Sequence, residues 1–272
     1  MIEAHEVSYA VQGKTLVNAV SLEAHPGELL AIIGANGAGK STLLKLLGKE
    51  LTPSGGEIRM DGKPLSKLSR EELAKFRAVL SQQHSLSFNF NVFDLVMMGR
   101  YPHFKGRPGR KDVEVVRQAM EITGVTHLTK RVFISLSGGE QQRVHLAKVL
   151  AQLMEPEESD QTRYLFMDEP INGLDLYYQH ELLKIAHESA RKGYCVIAIL
   201  HDLNLTMQYA DRVLILKKGQ TVAFGEPDEV ITRQHIKEAF QISVNLVRLP
   251  EIGYPIIIPD QFENKFACPY GN

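Results

Sequence analysis

The sequence predicts an α/β fold: a core on a parallel sheet, joined to an antiparallel β subdomain and a helical subdomain. Three observations carry this reading. A glycine-rich turn, Gly34-Ala35-Asn36-Gly37-Ala38-Gly39-Lys40-Ser41-Thr42, stands between the apolar run Leu29-Leu30-Ala31-Ile32-Ile33 and a helical pattern at 41–48. Apolar residues at helical spacing dominate 85–154. Strand patterns at 163–167 and 194–200 flank a helical stretch, 176–192, that closes at Gly193, the alternation that builds parallel sheets.

The first element is a strand over 3–11, turned at Gln12-Gly13-Lys14 into a second strand at 15–24; a further turn at His25-Pro26-Gly27 leads into the strand before the glycine loop. In that loop Gly34, Gly37 and Gly39 permit backbone conformations that a Cβ would block, so successive N–H groups can converge on phosphates at a helix start. Lys40 supplies a point charge to the outer phosphates, the Ser41 hydroxyl is a ligand for Mg²⁺, and Asn36 and Thr42 complete the phosphate-binding set. A plain glycine turn would not need every fixed position of this pattern in a strand–loop–helix setting, so the segment reads as a nucleoside triphosphate site. Helices follow over 112–124 and 140–154, then the strands at 163–167 and 194–200 with their intervening helix. A hairpin at 212–217 and 220–224 turns around Lys218-Gly219, a single helix is expected over 227–240, and two short strands within 243–259. The expected organisation is one domain over 1–272. Residues 1–84 and 155–242 form the nucleotide core with its β layer, 85–154 the helical subdomain, and 243–272 a C-terminal extension.

Composition bounds the function. With 272 residues and 44% hydrophobic content the chain can bury a substantial core, and 31 Lys plus Arg against 32 Asp plus Glu create no global field that points to nucleic acid or an anionic membrane. The longest apolar runs, such as 194–200 and 254–259, are far too short to cross a bilayer. Met1-Ile2-Glu3-Ala4-His5-Glu6 lacks the basic and apolar regions of a signal peptide, so a cytosolic chain is expected. Only Cys195 and Cys268 occur, one in an apolar strand pattern and one near the tail, which argues against a disulfide framework or a thiolate metal site.

A phosphate loop alone is compatible with kinases, GTPases, helicases and transport ATPases. The later motifs discriminate. Leu136-Ser137-Gly138-Gly139-Glu140-Gln141-Gln142-Arg143 resembles the signature sequence of ATP-binding cassette (ABC) ATPases, and Tyr164-Leu165-Phe166-Met167-Asp168-Glu169 resembles their second acidic motif. Gln82, Asp175 and His201 stand in the order and approximate spacing of that family, so the resemblance covers nearly the whole chain. Ser137-Gly138-Gly139 opens a helix and offers a second set of backbone donors for a phosphate. One nucleotide cannot be wrapped by two such sites of the same chain. The resemblance implies the family's resolution, a head-to-tail homodimer in which the phosphate loop of one copy and the signature helix of the other sandwich each of two ATP.

Asp168 ends an apolar strand, where its carboxylate can hold Mg²⁺, and Glu169 is positioned to polarise an attacking water. Adjacent acids could mark a solvated turn, but four apolar or aromatic residues before them and Pro170 after them favour the catalytic reading. By resemblance His201 contacts the γ-phosphate and holds Glu169 and the water in line; otherwise it would cap the following helix. Gln82 resembles the glutamine that touches Mg²⁺ and the water, with Gln83 its immediate competitor. Tyr9 falls where the family places an aromatic on adenine, against the alternative of a half-buried strand tyrosine. By the same resemblance Asp175 would carry the crosstalk between the two ATP sites, although many importers read Thr-Ser-Ala-Leu-Asp where this chain has Ile171-Asn172-Gly173-Leu174-Asp175, whose substituted residues resemble those of some export cassettes.

Hydrolysis of this kind needs something to move, and no membrane span is present, so the resemblance implies an integral-membrane permease dimer. The chain would sit peripherally on the cytoplasmic side of the bacterial inner membrane, with a periplasmic substrate-binding protein acting indirectly and no nucleic acid. Residues 86–104 would form the permease groove, with Phe88, Phe90, Val92 and Phe93 serving either that surface or a subdomain core. Met98-Gly99-Arg100-Tyr101-Pro102-His103 and His201-Asp202-Leu203-Asn204-Leu205 resemble importers of iron–siderophore complexes, cobalamin and haem. The run Val149-Leu150-Ala151-Gln152-Leu153 and the acidic stretch over 154–161 resemble haem (haemin) importers within that group. The leading expectation is the ATP-binding subunit of a haem importer. Siderophore or cobalamin import is the near alternative, and a non-transport ABC ATPase acting on ribosomes or DNA the distant one. His103, His145, His180 and His187 show no paired ligand spacing, so no metal beyond Mg²⁺ is assigned. The basic run over 105–111 reads as an exposed loop.

Overall fold

The computed structural model describes residues 1–81, 89–155 and 161–260. Strands β1 (Ile2–Val11) and β2 (Lys14–Ala24) pair antiparallel through a turn at Gln12 and Gly13, whose φ values of 49° and 77° match the twist of the flanking strands. Ile2, Ala4 and Val7 of the first strand and Val17, Val20 and Leu22 of the second are buried, while intervening residues face out. β3 (Leu29–Gly34) has no such alternation: all six residues are buried, the mark of a central parallel strand covered on both faces. It runs into the glycine loop and α1 (Lys40–Leu47).

A stretch without strong sequence signal then adds β4 (Gly55–Met60), β5 (Lys63–Pro64), α2 (Arg70–Phe76) and β6 (Arg77–Leu80). Ser69 and Glu72 close a reciprocal capping box at the start of α2: Ser69 Oγ accepts from Glu72 N at 3.1 Å and Glu72 Oε2 from Ser69 N at 2.7 Å. The helical region holds α3 (Val92–Met97), α4 (Arg110–Ile122) and α5 (Gly138–Leu153). The core resumes with β7 (Tyr164–Met167), α6 (Leu176–Arg191), β8 (Cys195–Ile199) and α7 (Leu203–Tyr209). The hairpin β9 (Arg212–Lys217) and β10 (Gln220–Gly225) follows.

The single helix expected over 227–240 is two helices, α8 (Pro227–Val230) and α9 (Arg233–Phe240). Thr232 is extended and its side chain accepts from His235 N at 3.1 Å, so it N-caps a new helix instead of continuing the old one. The chain then forms a hairpin, β11 (Val244–Val247) and β12 (Ile256–Pro259).

Three sheets result: β2-β1-β4-β5, antiparallel; β10-β9-β3-β8-β7-β6, parallel except for β10; and β11-β12. The period of two splits the central strands cleanly between two cores. Leu29, Ala31, Leu165, Met167, Val196, Ala198, Val213 and Ile215 face the helical side. Leu30, Ile32, Tyr164, Phe166, Ile197, Ile199, Leu214 and Leu216 face α1 and the antiparallel layer. Within the expected permease groove Val92 is fully buried, and Phe90 and Phe93 pack against the helical-side core; Phe88 lies outside the described residues. Tyr101, 60% exposed, is the large outward-facing residue there.

Candidate active site

Because β3, β8 and β7 are adjacent and parallel, their carboxyl ends deliver Gly34, His201 and Asp168-Glu169 to one edge of the sheet. β6, paired with β7 at Leu80 and Met167, leads toward the same edge, but Gln82 and Gln83 lie outside the described residues. The glycine loop is wedged between the two large sheets. A Cβ on Gly34, φ 151°, would stand 2.3 Å from the Leu216 carbonyl oxygen of β9, and one on Gly39, φ 100°, 2.4 Å from the Leu16 carbonyl oxygen of β2. Gly39 is also the N-cap of α1 and contributes no side chain, so the first N–H groups of that helix remain aimed at the loop's interior.

Lys40 is buried, and its Nζ donates to Gly34 O at 2.9 Å and Ala35 O at 3.1 Å. An ammonium has three donors, so one is left to point into the loop. Burial lowers the Lys40 pKa, and the Glu169 and Asp168 carboxylates work in the opposite direction. The Ser41 hydroxyl donates to Asp168 Oδ1 at 3.0 Å. Asp168 is itself buried, which raises its pKa; the Ser41 hydrogen bond pulls it down and neighbouring Glu169 pushes it up.

Glu169 has a left-handed backbone, φ 51°, an unfavourable conformation for a residue with a Cβ and one concentrated at functional sites. Its Oε1 lies 2.7 Å from His201 Nε2, and its Oε2 accepts from Asn172 Nδ2 at 2.5 Å. Both oxygens are therefore oriented by named groups. A cleft of about 460 Å³ opens over the loop, lined by residues 36–42, Glu169, and Lys14 and Leu16 of the β layer.

The other expected residues lie elsewhere. Tyr9 is half-buried on β1, paired with Val17 and packed against the β-layer core, and does not line this cleft. Ser137 and Gly138 are exposed at the start of α5, and Gly139 lies against Leu174. Ser137 and Glu140 form a capping box, Ser137 Oγ accepting from Glu140 N at 3.3 Å and Glu140 Oε2 from Ser137 N at 2.8 Å. The Ser137 N–H and hydroxyl, which both donate to Glu140 Oε2, hold that carboxyl below its ordinary range. Asp175 is exposed and N-caps α6 through Tyr178 N at 3.0 Å. The four scrutinised histidines have local partners: His103 with Gln152 O and Glu155, His145 edge-on to Phe133, His180 with the Tyr209 hydroxyl and His187 with Tyr209 O. Among the described residues no group of three His, Cys, Asp or Glu is placed to hold a metal.

The family model described as ABC transporter matches residues 17–172, more than half of the chain. This chain belongs to the ABC transporter family. The ABC cassette is an ATP-binding, ATP-hydrolysing protein. It is 46% identical over 259 residues to the hemin import ATP-binding protein HmuV of Gloeobacter violaceus, covering 95% of this chain and 94% of that one. It is 43% identical to the protein of the same name from Pseudomonas aeruginosa, covering 95% and 99%. Among solved structures it is similar to a metal-chelate type ABC transporter in an inward-facing conformation, with a TM-score of 0.80 and 27% identity over 95% of this chain and 96% of that one. CbiO1 of Clostridium perfringens, part of the transporter complex cbiONQ, superposes with a TM-score of 0.71 at 27% identity, covering 87% and 92%.

The motifs of the ABC cassette did not reveal three participants. Lys14 and Leu16 reach the cleft because β2 runs past the loop, a long-range placement invisible in local pattern. Asn172 stands in the sequence only as a departure from the importer pattern; its four-atom side chain, three residues after Glu169, is what lets it reach the carboxylate. Among the described residues no helix is long and apolar enough to cross a membrane.

Proposed function

We propose that this ABC cassette drives uptake of haem (haemin) through a separate membrane permease, as a head-to-tail homodimer on the cytoplasmic face of a bacterial inner membrane. The observation that carries the chemistry is the joint placement of Lys40, Ser41-Asp168 and the Asn172-Glu169-His201 chain around one cleft. The cargo rests on the relatives above, named for hemin import and matched over nearly their full length.

ATP enters over the loop, with its phosphates on the N–H groups of residues 36–42 and the third Lys40 donor on an outer phosphate oxygen. The Ser41 hydroxyl and the Asp168 carboxylate are hard oxygen donors 3.0 Å apart, a set that suits Mg²⁺. When bound, that ion would neutralise phosphate charge. Glu169 accepts a proton from the attacking water, and Asn172 and His201 fix which carboxylate lone pairs face it. Ser137 and Gly138, exposed on the opposite subdomain, complete the site of a second copy. On the strength of the family resemblance Tyr9 is kept as the contact to adenine and Gln82 as the contact to Mg²⁺ and the attacking water.

The test is co-purification with the membrane partner, reconstitution, and ATPase measurement with binding protein carrying haem, ferric siderophore or cobalamin. Stimulation by haem alone is expected. Stimulation by another cargo alone overturns the substrate and leaves the ATPase reading intact. Recovery of no membrane partner overturns the transport reading.

A further inference from the structure

The hairpin β11-β12 is hydrogen-bonded to α7, the helix that follows His201, by the side chain of Asn204. Asn204 Oδ1 accepts from Ile257 N at 2.8 Å, and Asn204 Nδ2 donates to Ile257 O at 3.2 Å. A carboxamide carries one acceptor and donors on a single planar head, so it satisfies both backbone groups of Ile257 as a neighbouring strand would. Ile257 is 5% exposed and sits in the core shared with Leu205, Met207 and Val244. Removing the Asn204 side chain leaves the Ile257 N–H and C=O without their protein partner.

At the other end of the same short segment stands His201. The chain leaves β8 at Ile199, places His201, and starts α7 two residues later, with Asp202 as N-cap. Asp202 Oδ1 accepts from Asn204 N at 2.7 Å and from Leu205 N at 2.9 Å, and Thr206 Oγ1 donates to Asp202 O at 2.7 Å. A helix of seven residues is too short to hold itself in place. Its first turn is fixed from outside by the grip on β12, and that turn begins directly after His201.

We propose that Asn204 is a positioning residue for the hydrolysis: by clamping α7 to β12 it sets where His201 Nε2 meets Glu169 Oε1. The proposal rests on the assignment of His201 and Glu169 to the chemistry given above. It gives the C-terminal hairpin, distant in sequence from every catalytic motif, a part in the reaction.

The experiment measures steady-state Mg-ATP hydrolysis by the full-length chain carrying Asn204→Ala, His201→Ala or both, with folding checked by thermal denaturation. Asn204→Ala is expected to lower kcat by about tenfold to a hundredfold, the scale of a sub-ångström to ångström misplacement, with the KM for ATP unchanged. In the His201→Ala background it should lower the residual rate no further, because the group it positions is gone. Asn204→Asp keeps the acceptor for Ile257 N but turns a second acceptor on Ile257 O, so its kcat should also fall with the KM for ATP unchanged; it carries the test if Asn204→Ala does not fold. A lowered melting temperature with parental kcat would overturn the proposal, leaving Asn204 as an anchor of the hairpin only. So would losses that multiply fully in the double variant. A parental rate for His201→Ala alone would instead overturn the assignment of His201, a separate result.

Discussion

Glu169 combines a costly backbone conformation with two oriented carboxylate oxygens, and the neighbouring Asp168 pairs burial with a hydroxyl partner. Their replacements should behave differently. Glu169→Gln keeps the shape and removes the proton acceptor, so hydrolysis should fall by about 10²-fold or more while ATP is still retained, measured by single-turnover assay and nucleotide retention. Asp168 has its pKa raised by burial, so the folded state holds its proton more tightly than the unfolded state. Stability therefore falls as pH rises from the ordinary carboxylate range through the raised folded value, and stays lower above it. Asp168→Asn removes this penalty. In nucleotide-free protein it should raise the melting temperature at neutral pH by roughly 2–4 °C, the shift about 1 kcal/mol gives in a chain of this size, with the gain vanishing in acid. An equal gain at all pH values would sink the explanation, and hydrolysis should be lost throughout. Asn172→Ala leaves Glu169 one partner fewer and should lower kcat about threefold to tenfold with ATP binding intact.

Among the elements, α5 shows how a recognisable phrase can encode scaffold. Arg100, buried, donates from Nη1 to Ala151 O at 2.8 Å and Met154 O at 2.6 Å and from Nε to Asp112 Oδ1 at 3.1 Å. It satisfies carbonyls that the end of α5 leaves open and ties α4 to them. Gly99 permits this approach, since a Cβ there would stand 2.2 Å from Lys148 O. The phrase 98–103, which in sequence only suggested an importer group, thus secures the far end of the signature helix. Arg100→Met should cost about 3 kcal/mol or more, because it leaves two carbonyls open and the buried Asp112 carboxylate without its cation, held only by the Gly109 N–H, and urea denaturation would measure it. A loss under about 1 kcal/mol would mean that the pair contributes little. The same scale explains what was legible. Strong periodicity and turn chemistry marked β1, β2, α5, α6 and the β9-β10 hairpin. Residues 227–240 read as one helix because Ile236 and Ala239 continue the apolar spacing, while the break at Thr232 is a cap decided by one side-chain bond. β5 and β6 are short edge strands, and β4 and β6 acquire their form from pairing with β1 and β7, far along the chain.

For the whole molecule, the proposed catalytic residues Glu169 and His201 are readable because each follows a strand of one parallel sheet, so order along the chain maps onto one edge in space. The cleft's β-layer wall and the hairpin behind α7 are not, since they depend on how separate sheets pack. The exposed signature turn has the remaining consequence. Ser137 and Gly138 present a helix N-terminus to solvent at the start of α5, and neither lines the cleft over the glycine loop of the same chain. If a second copy supplies that turn, Glu169→Gln protein with Mg-ATP should elute and scatter as a dimer holding two ATP, and as a monomer without nucleotide. Ser137→Arg places a long cation where the partner's phosphates and glycine loop must approach. Combined with Glu169→Gln it should abolish the dimer while the monomer still binds ATP through its own loop. A Glu169→Gln protein that stays monomeric at saturating Mg-ATP would contradict the head-to-tail arrangement, whereas loss of ATP binding by Ser137→Arg alone would place the signature turn in the site of its own chain.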